Sequence, residues 1–324
     1  LTSFKRCGYV LGRALATGNL GASYADLGLS RRARRLTLEA LDISRRAGAR
    51  APLLVATWNR AEFAVQVGSL DDARPLIAEA VALTRASRDK RFSAHIAISA
   101  GWLAMREGRA AAAARHFERG VTQSRSLEAT TQLQALTEAA RAHLAAGDSA
   151  AALIFTRRAT TIHRALGFAP LDSVNPAAVW WRHCQALRAN GKSRLADAAL
   201  EQARQLLLAR VASLSDEGLR RNYLNKREEN REIVLAWLAH ARERKLARRE
   251  REAHLAGKVS ASEPFERLVD TGLRLNEIKS EAELHEFLVD EVTELSGAER
   301  VLLVLEAPEK PEALSIAGSL IPRG

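Results

Sequence analysis

The stretch "VGSLDDARPLIAEA", residues 67–80, sets a glycine at Gly68, an alanine at Ala73 and another alanine at Ala80. The same skeleton returns in "EGRAAAAARHFERG" (Gly108, Ala113, Gly120), in "AGDSAAALIFTRRA" (Gly147, Ala152, Ala159) and in "NGKSRLADAALEQA" (Gly191, Ala196, Ala203). Together with Gly28, these glycines stand 40, 40, 39 and 44 residues apart. A fixed period of that size marks a solenoid of repeated supersecondary units. Before each glycine lies an apolar segment of helical period, such as "ATWNRAEFAVQVG" or "HIAISAGWLAMREG". After it comes a short polar turn and a longer amphipathic helix, such as "LDDARPLIAEAVALTRAS". Glycine supplies the backbone freedom that ends a helix and reverses the chain. The small residue five positions later falls where the two helices of one hairpin cross. The one seven further on lets the next hairpin approach the same helix.

Composition agrees with a helical chain. Alanine, leucine and arginine dominate the 324 residues, and aromatics make up 5%. The net charge is +11, but 49 basic residues are answered by 38 acidic ones scattered over many segments. That is the pattern of a solvated helical surface rather than a nucleic-acid footprint, and no base-stacking loop accompanies it. No apolar run approaches the ~20 residues of a membrane span. Two cysteines, Cys7 and Cys184, cannot build a disulfide framework, so a reducing cytoplasm is the expected compartment. The chain starts at Leu1 and its one methionine is Met105, which reads as a piece of a longer polypeptide.

Residues Leu20-Gly21, Tyr24, Gly28, Ala33 and Ala40 reproduce the leucine-glycine, tyrosine, glycine and paired-alanine pattern of tetratricopeptide (TPR) repeats, which the chain resembles. Later units keep the small residues (Ala61, Gly101, Ala140, Cys184 on first helices) and lose the tyrosine. The resemblance implies a mostly α, right-handed α-α superhelix of about five helix pairs over residues 15–210, with residues 1–14 ending a preceding unit. By the same resemblance a groove lined by the first helix of each pair would carry Trp58, Glu62, His95, Trp102, Arg106, Arg141, Trp181, Gln185 and Arg188. Tryptophan interleaved with arginine suits a protein or peptide partner, or an adjacent domain of the same chain. The competing reading makes Trp58, Trp102 and Trp180 or Trp181 packing residues between repeats.

Beyond Ala203 the pattern changes. Residues 211–258 read as one linker helix from Ser215 or Asp216 to about residue 256, with a break before Arg227 and a weak seam suited to a signalling coiled coil. "GKVSASEP" supplies a linker. Then follow helices over Phe265–Ile278 and Glu281–Leu295, the strand-like run "AERVLLVLEA", a "PEKPE" turn and a second strand "ALSIAGSL". This order resembles the opening of a GAF domain, incomplete here over 264–324. The resemblance implies a small-ligand sensor or a homodimerising module of a bacterial signalling regulator, with an output domain elsewhere (a histidine kinase, a nucleotide cyclase or a transcription activator). A pure scaffold with a dimerising GAF segment is the alternative.

No chemistry emerges from the motifs. "NGKS" (190–193) lacks the earlier glycine of a phosphate loop, since position 186 is Ala186. His183 and Cys184 are adjacent in a helix and point about 100° apart, which is poor geometry for one metal. No G-x-S-x-G elbow occurs. The expectation is therefore no catalytic residue, no metal and no cofactor in residues 1–324, with any GAF ligand unassigned.

Overall fold

The computed structural model describes residues 9–27, 29–87, 90–169, 171, 174–214, 217–247, 280–296, 300–307 and 310–320. Thirteen helices and one two-stranded hairpin lie among them. The chain divides into two compact units: Leu1–Ser23 with Ala33–Leu207, and Tyr24–Arg32 with Leu208–Gly324. No described helix is long and apolar enough to cross a membrane.

The helices of the repeats are α1 (Val10–Asp26), α2 (Ser30–Ala47), α3 (Arg50–Gln66), α4 (Leu70–Ser87), α5 (Lys90–Arg106), α6 (Ala110–Gln123), α7 (Ala129–Ala145), α8 (Ser149–Ala165), α9 (Pro176–Ala189) and α10 (Ser193–Ala212). They fall into five consecutive pairs. Gly68, Gly108, Gly147 and Gly191 each close a pair with φ between 70° and 84°. At each of these turns the next residue's N–H reaches back to close a Schellman motif, as Ser69 does to the Ala64 carbonyl (2.8 Å). Gly28 lies outside the described residues. α1 runs unbroken from Val10, so residues 10–14 belong to the first repeat helix rather than to a preceding unit.

The small residues occupy the positions that the period requires. Ala33, Ala40, Ala73, Ala80, Ala113, Ala152, Ala159, Ala196 and Ala203 are all buried, as are Ala61, Ala140 and Cys184 on the first helices. The tightest crossing is at Gly101, where an added Cβ would sit 2.5 Å from the Phe117 ring of the paired helix. At Gly120 an added Cβ would lie 3.2 Å from Ile98 on α5 and 3.7 Å from Ala135 on α7, the first helix of the next pair. From α3 onward each first helix also touches its successor, α3 with α5, α5 with α7 and α7 with α9. Contacts between neighbours two helices apart are what stacked hairpins produce, and a globular bundle would not repeat them in order.

The second unit holds α11 (Glu217–Lys226), α12 (Glu228–Glu243), α13 (Glu281–Ser296), β1 (Val301–Ala307) and β2 (Lys310–Leu320). The single linker helix expected to reach residue 256 is not formed. Arg227 adopts an extended conformation between α11 and α12, and Asn230, fully buried, donates to the Tyr223 carbonyl (2.8 Å) exposed by the break. α12 then ends at Glu243. Lys245 turns left-handed (φ 54°), and the Leu246 N–H donates to the Ala241 carbonyl (3.0 Å). Half-buried Leu246 supplies the apolar residue that such a cap favours, whereas "RERKLARRERE" offers no continuous seam to carry the helix further. Residues 248–256 and the expected helix over Phe265–Ile278 lie outside the described residues.

Within this unit Asn222 of α11 donates to the Thr293 carbonyl of α13 (3.1 Å). Buried Arg32 stands 3.5 Å from Glu291 and 3.8 Å from Asp290, with its guanidinium over the Tyr24 ring. β1 and β2 pair antiparallel, from Val301 opposite Leu320 to Ala307 opposite Lys310, with a bulge after Leu303. Both expected strands are therefore present. α13 covers one face of the hairpin, with Val289 3.0 Å from where a Cβ on Gly318 would be. The other face exposes Leu302, Val304, Leu314 and Ile316.

Candidate functional site

The first helices α3, α5, α7 and α9 make one wall of the repeats, and the nine residues expected to line it lie on these helices. The structure draws three of them together. Half-buried Trp58 and Glu62, one turn apart on α3, face His95 on α5. The Trp58 and His95 rings lie 4.8 Å apart and tilted, and Phe92 sets its edge on Trp58 at 6.1 Å. Between them stands Ser99. Its hydroxyl accepts from Trp58 Nε1 (3.1 Å) and stands 3.1 Å from both Glu62 Oε1 and the His95 carbonyl. Burial pushes the His95 imidazole below its ordinary range, and the Glu128 carboxylate at the start of α7 pulls it partly back. The result is an aromatic step with a neutral imidazole and a carboxylate at its edge.

The remaining six are spread along the wall. Trp102 is half-buried and packs on the Ala61–Ala64–Val65–Ala73–Ile77–Leu103 cluster, so much of its surface serves the joint between pairs. Exposed Arg106 donates to the Gln66 carbonyl of α3 (3.2 Å). Arg141 pairs with Glu138 one turn before it (2.9 Å). Trp181 is 6% exposed and belongs to the core. Gln185 accepts from Arg182 (2.8 Å), and exposed Arg188 lies 3.6 Å from Asp197. The polar members are thus held by local partners in a fixed array along α5, α7 and α9.

Ser99 and Phe92 are missing from the sequence-based set, although Ser99 falls 41 residues after Trp58, one repeat on. That offset is the signal that could have found it. The "NGKS" stretch forms the last hairpin turn: Gly191 is left-handed and Lys192 N–H donates to the Leu187 carbonyl (2.9 Å). Cys184 is fully buried, and burial pushes its thiol up to about 11, far from a nucleophile.

No family model matches the chain, and no curated protein matches it either. Among solved structures it is similar to a candidate kinesin light chain of Podosopora anserina with nearly identical TPR-like repeats. A single-substitution form of that protein aligns at 19% identity with a TM-score of 0.48, over 62% of this chain and 97% of that one. The structure without that substitution aligns at 18% identity and a TM-score of 0.46, with the same coverages.

Proposed function

We propose that this chain is a protein-interaction module whose first-helix wall receives a peptide or a neighbouring domain. The Trp58–Glu62–His95–Ser99 cluster carries the reading. A half-buried tryptophan held by a hydrogen bond to the next repeat is a preorganised anchor of the kind that dominates interface energetics. Glu62 beside it favours a partner segment with an apolar side chain next to a lysine or arginine. The test is to select peptides against the full chain from a random display library. Selected peptides should weaken at least ~10-fold with Trp58→Ala and should carry a basic residue that Glu62→Gln makes dispensable. Selected peptides indifferent to both substitutions would overturn the reading.

We further propose that the module belongs to a cytoplasmic signalling regulator, with residues 264–324 the opening of a GAF-like sensor. The helix α13 laid on one face of a β-hairpin supports this, as does the exposed apolar row Leu302, Val304, Leu314 and Ile316 on the other face, which suits further covering structure. Homodimerisation through this unit is part of the same proposal.

A further inference from the structure

A second surface lies on a different side of α9. Trp180, His183 and Leu187 fall at i, i+3 and i+7, turned roughly 130° from the row of Trp181, Gln185 and Arg188. With residues of α8 and α10 they line a cavity of about 560 Å³ entirely within the first unit. That volume is in the range of sites for small organic molecules.

Its chemistry is polarised. Trp180 and Leu187, 5% and 3% exposed, give it an apolar floor. Arg157 and Arg164 stand exposed at its edge, no carboxylate is among the lining residues, and neither arginine makes an ion pair among the described residues. The Arg164 guanidinium lies 4.8 Å over the Trp180 ring. A stacked guanidinium keeps its N–H edge available, and that edge matches a carboxylate in two parallel hydrogen bonds. The indole N–H is already spent on His163 Nδ1 (3.0 Å), and His183 is tied to Thr156 (2.9 Å), so both rings act as fixed walls. At the rim Phe168 holds a left-handed backbone (φ 58°), which is costly for a bulky residue, with its ring edge on His163 and 5.9 Å from Trp180.

We propose that this cavity binds a carboxylate carried on an apolar, ring-sized body, with the ring on the Trp180–Leu187 floor and the carboxylate on the Arg164 fork. Arg157, two turns before Arg164 on α8, strengthens the positive field at the mouth. The ligand is either a free aromatic acid or the C-terminal aromatic residue of a peptide, since both present the same groups.

Titration of the full chain by calorimetry and tryptophan fluorescence separates these sources. The probes are naphthalene-2-carboxylate with 2-naphthylmethanol as its uncharged control, and a short peptide ending in phenylalanine, with its C-terminal amide as control. At least one carboxylate probe is expected to bind about tenfold or more tighter than its uncharged control. Arg164→Ala should remove that advantage, and Arg164→Lys, which keeps the charge but not the fork, should restore only part of it. Arg164 is exposed, so both variants should keep the parent circular dichroism. Trp58→Ala should leave binding unchanged, which separates this cavity from the first-helix wall. Binding of naphthalene-2-carboxylate assigns a free acid, and binding of the peptide without it assigns a peptide terminus. Equal binding of charged and uncharged probes, indifference to Arg164→Ala, or no binding of either carboxylate at millimolar concentration would overturn the proposal.

Discussion

At the scale of single residues, the repeat is a record of backbone distance. Gly101 has no room for a methyl group because Phe117 fills the place where one would go, and the alanines at the equivalent positions are buried. These positions could be read from sequence because their cause is periodic and local. The α8–α10 cavity could not, since its arginines look like any solvated helix face until the next pair brings Trp180 beneath them. His183 shows what such placement does to an ionisable group. Burial first, then repulsion by Arg164 and Arg157, pushes its imidazole down to about 4 from the ordinary 6.5. The unfolded chain therefore takes up a proton near pH 6.5 that the folded chain refuses until about pH 4. The contribution to stability is complete above pH 6.5 and drains away as pH falls towards 4, by up to about 3 kcal/mol. Burial lowers His95, His116 and His163 in the same sense, so the chain as a whole should be acid-sensitive. Replacing His183 by Gln, which can still hydrogen-bond Thr156, should narrow the gap between urea midpoints at about pH 7 and about pH 4.5. An unchanged gap would show that His183 titrates normally in the folded chain.

At the scale of elements, turns were more legible than helix ends. The glycine of each hairpin announces its own left-handed cap, and four of the five predicted turns are seen to use one. The end of α12 gave no such notice, because a lysine occupies the left-handed position and charged residues continue past it. Helix propensity alone extends the segment; the cap stops it. Lys245→Gly discriminates between the two descriptions. A left-handed cap should gain about 0.5–1 kcal/mol from glycine, whereas a continuing helix would lose about 1 kcal/mol. The sign of the change in thermal or urea stability decides. The two strands of the hairpin were readable from their β-branched and leucine-rich runs, but the bulge after Leu303 was not, since register depends on how α13 seats Gly318.

At the scale of the whole molecule, stability should be distributed rather than concentrated. In the repeats each pair rests on its neighbours, so the array behaves as a short chain of coupled units. Phe117 is fully buried in the middle pair against Gly101. Phe117→Ala should cost about 3–5 kcal/mol locally. It should also broaden the urea transition by weakening the link between the pairs before and after it. A shifted transition of unchanged steepness would show that the repeats melt as one block. Composition and period disclosed the array and its wall of first helices. How one repeat fixes the side chains of the next is written in contacts across repeats, of which Trp58 to Ser99 is the clearest.

That contact also ties one repeat to the next through a single hydroxyl. The Ser99 hydroxyl has one proton and two acceptors at equal distance, the Glu62 carboxylate on α3 and the His95 carbonyl on its own helix. Were a partner lysine to claim the carboxylate, as the proposed function expects, the proton would turn to the carbonyl. Under the proposed function, docking at one repeat would then set the hydroxyl rotor of the next, readable as a shift of the Ser99 amide resonance on adding a selected peptide.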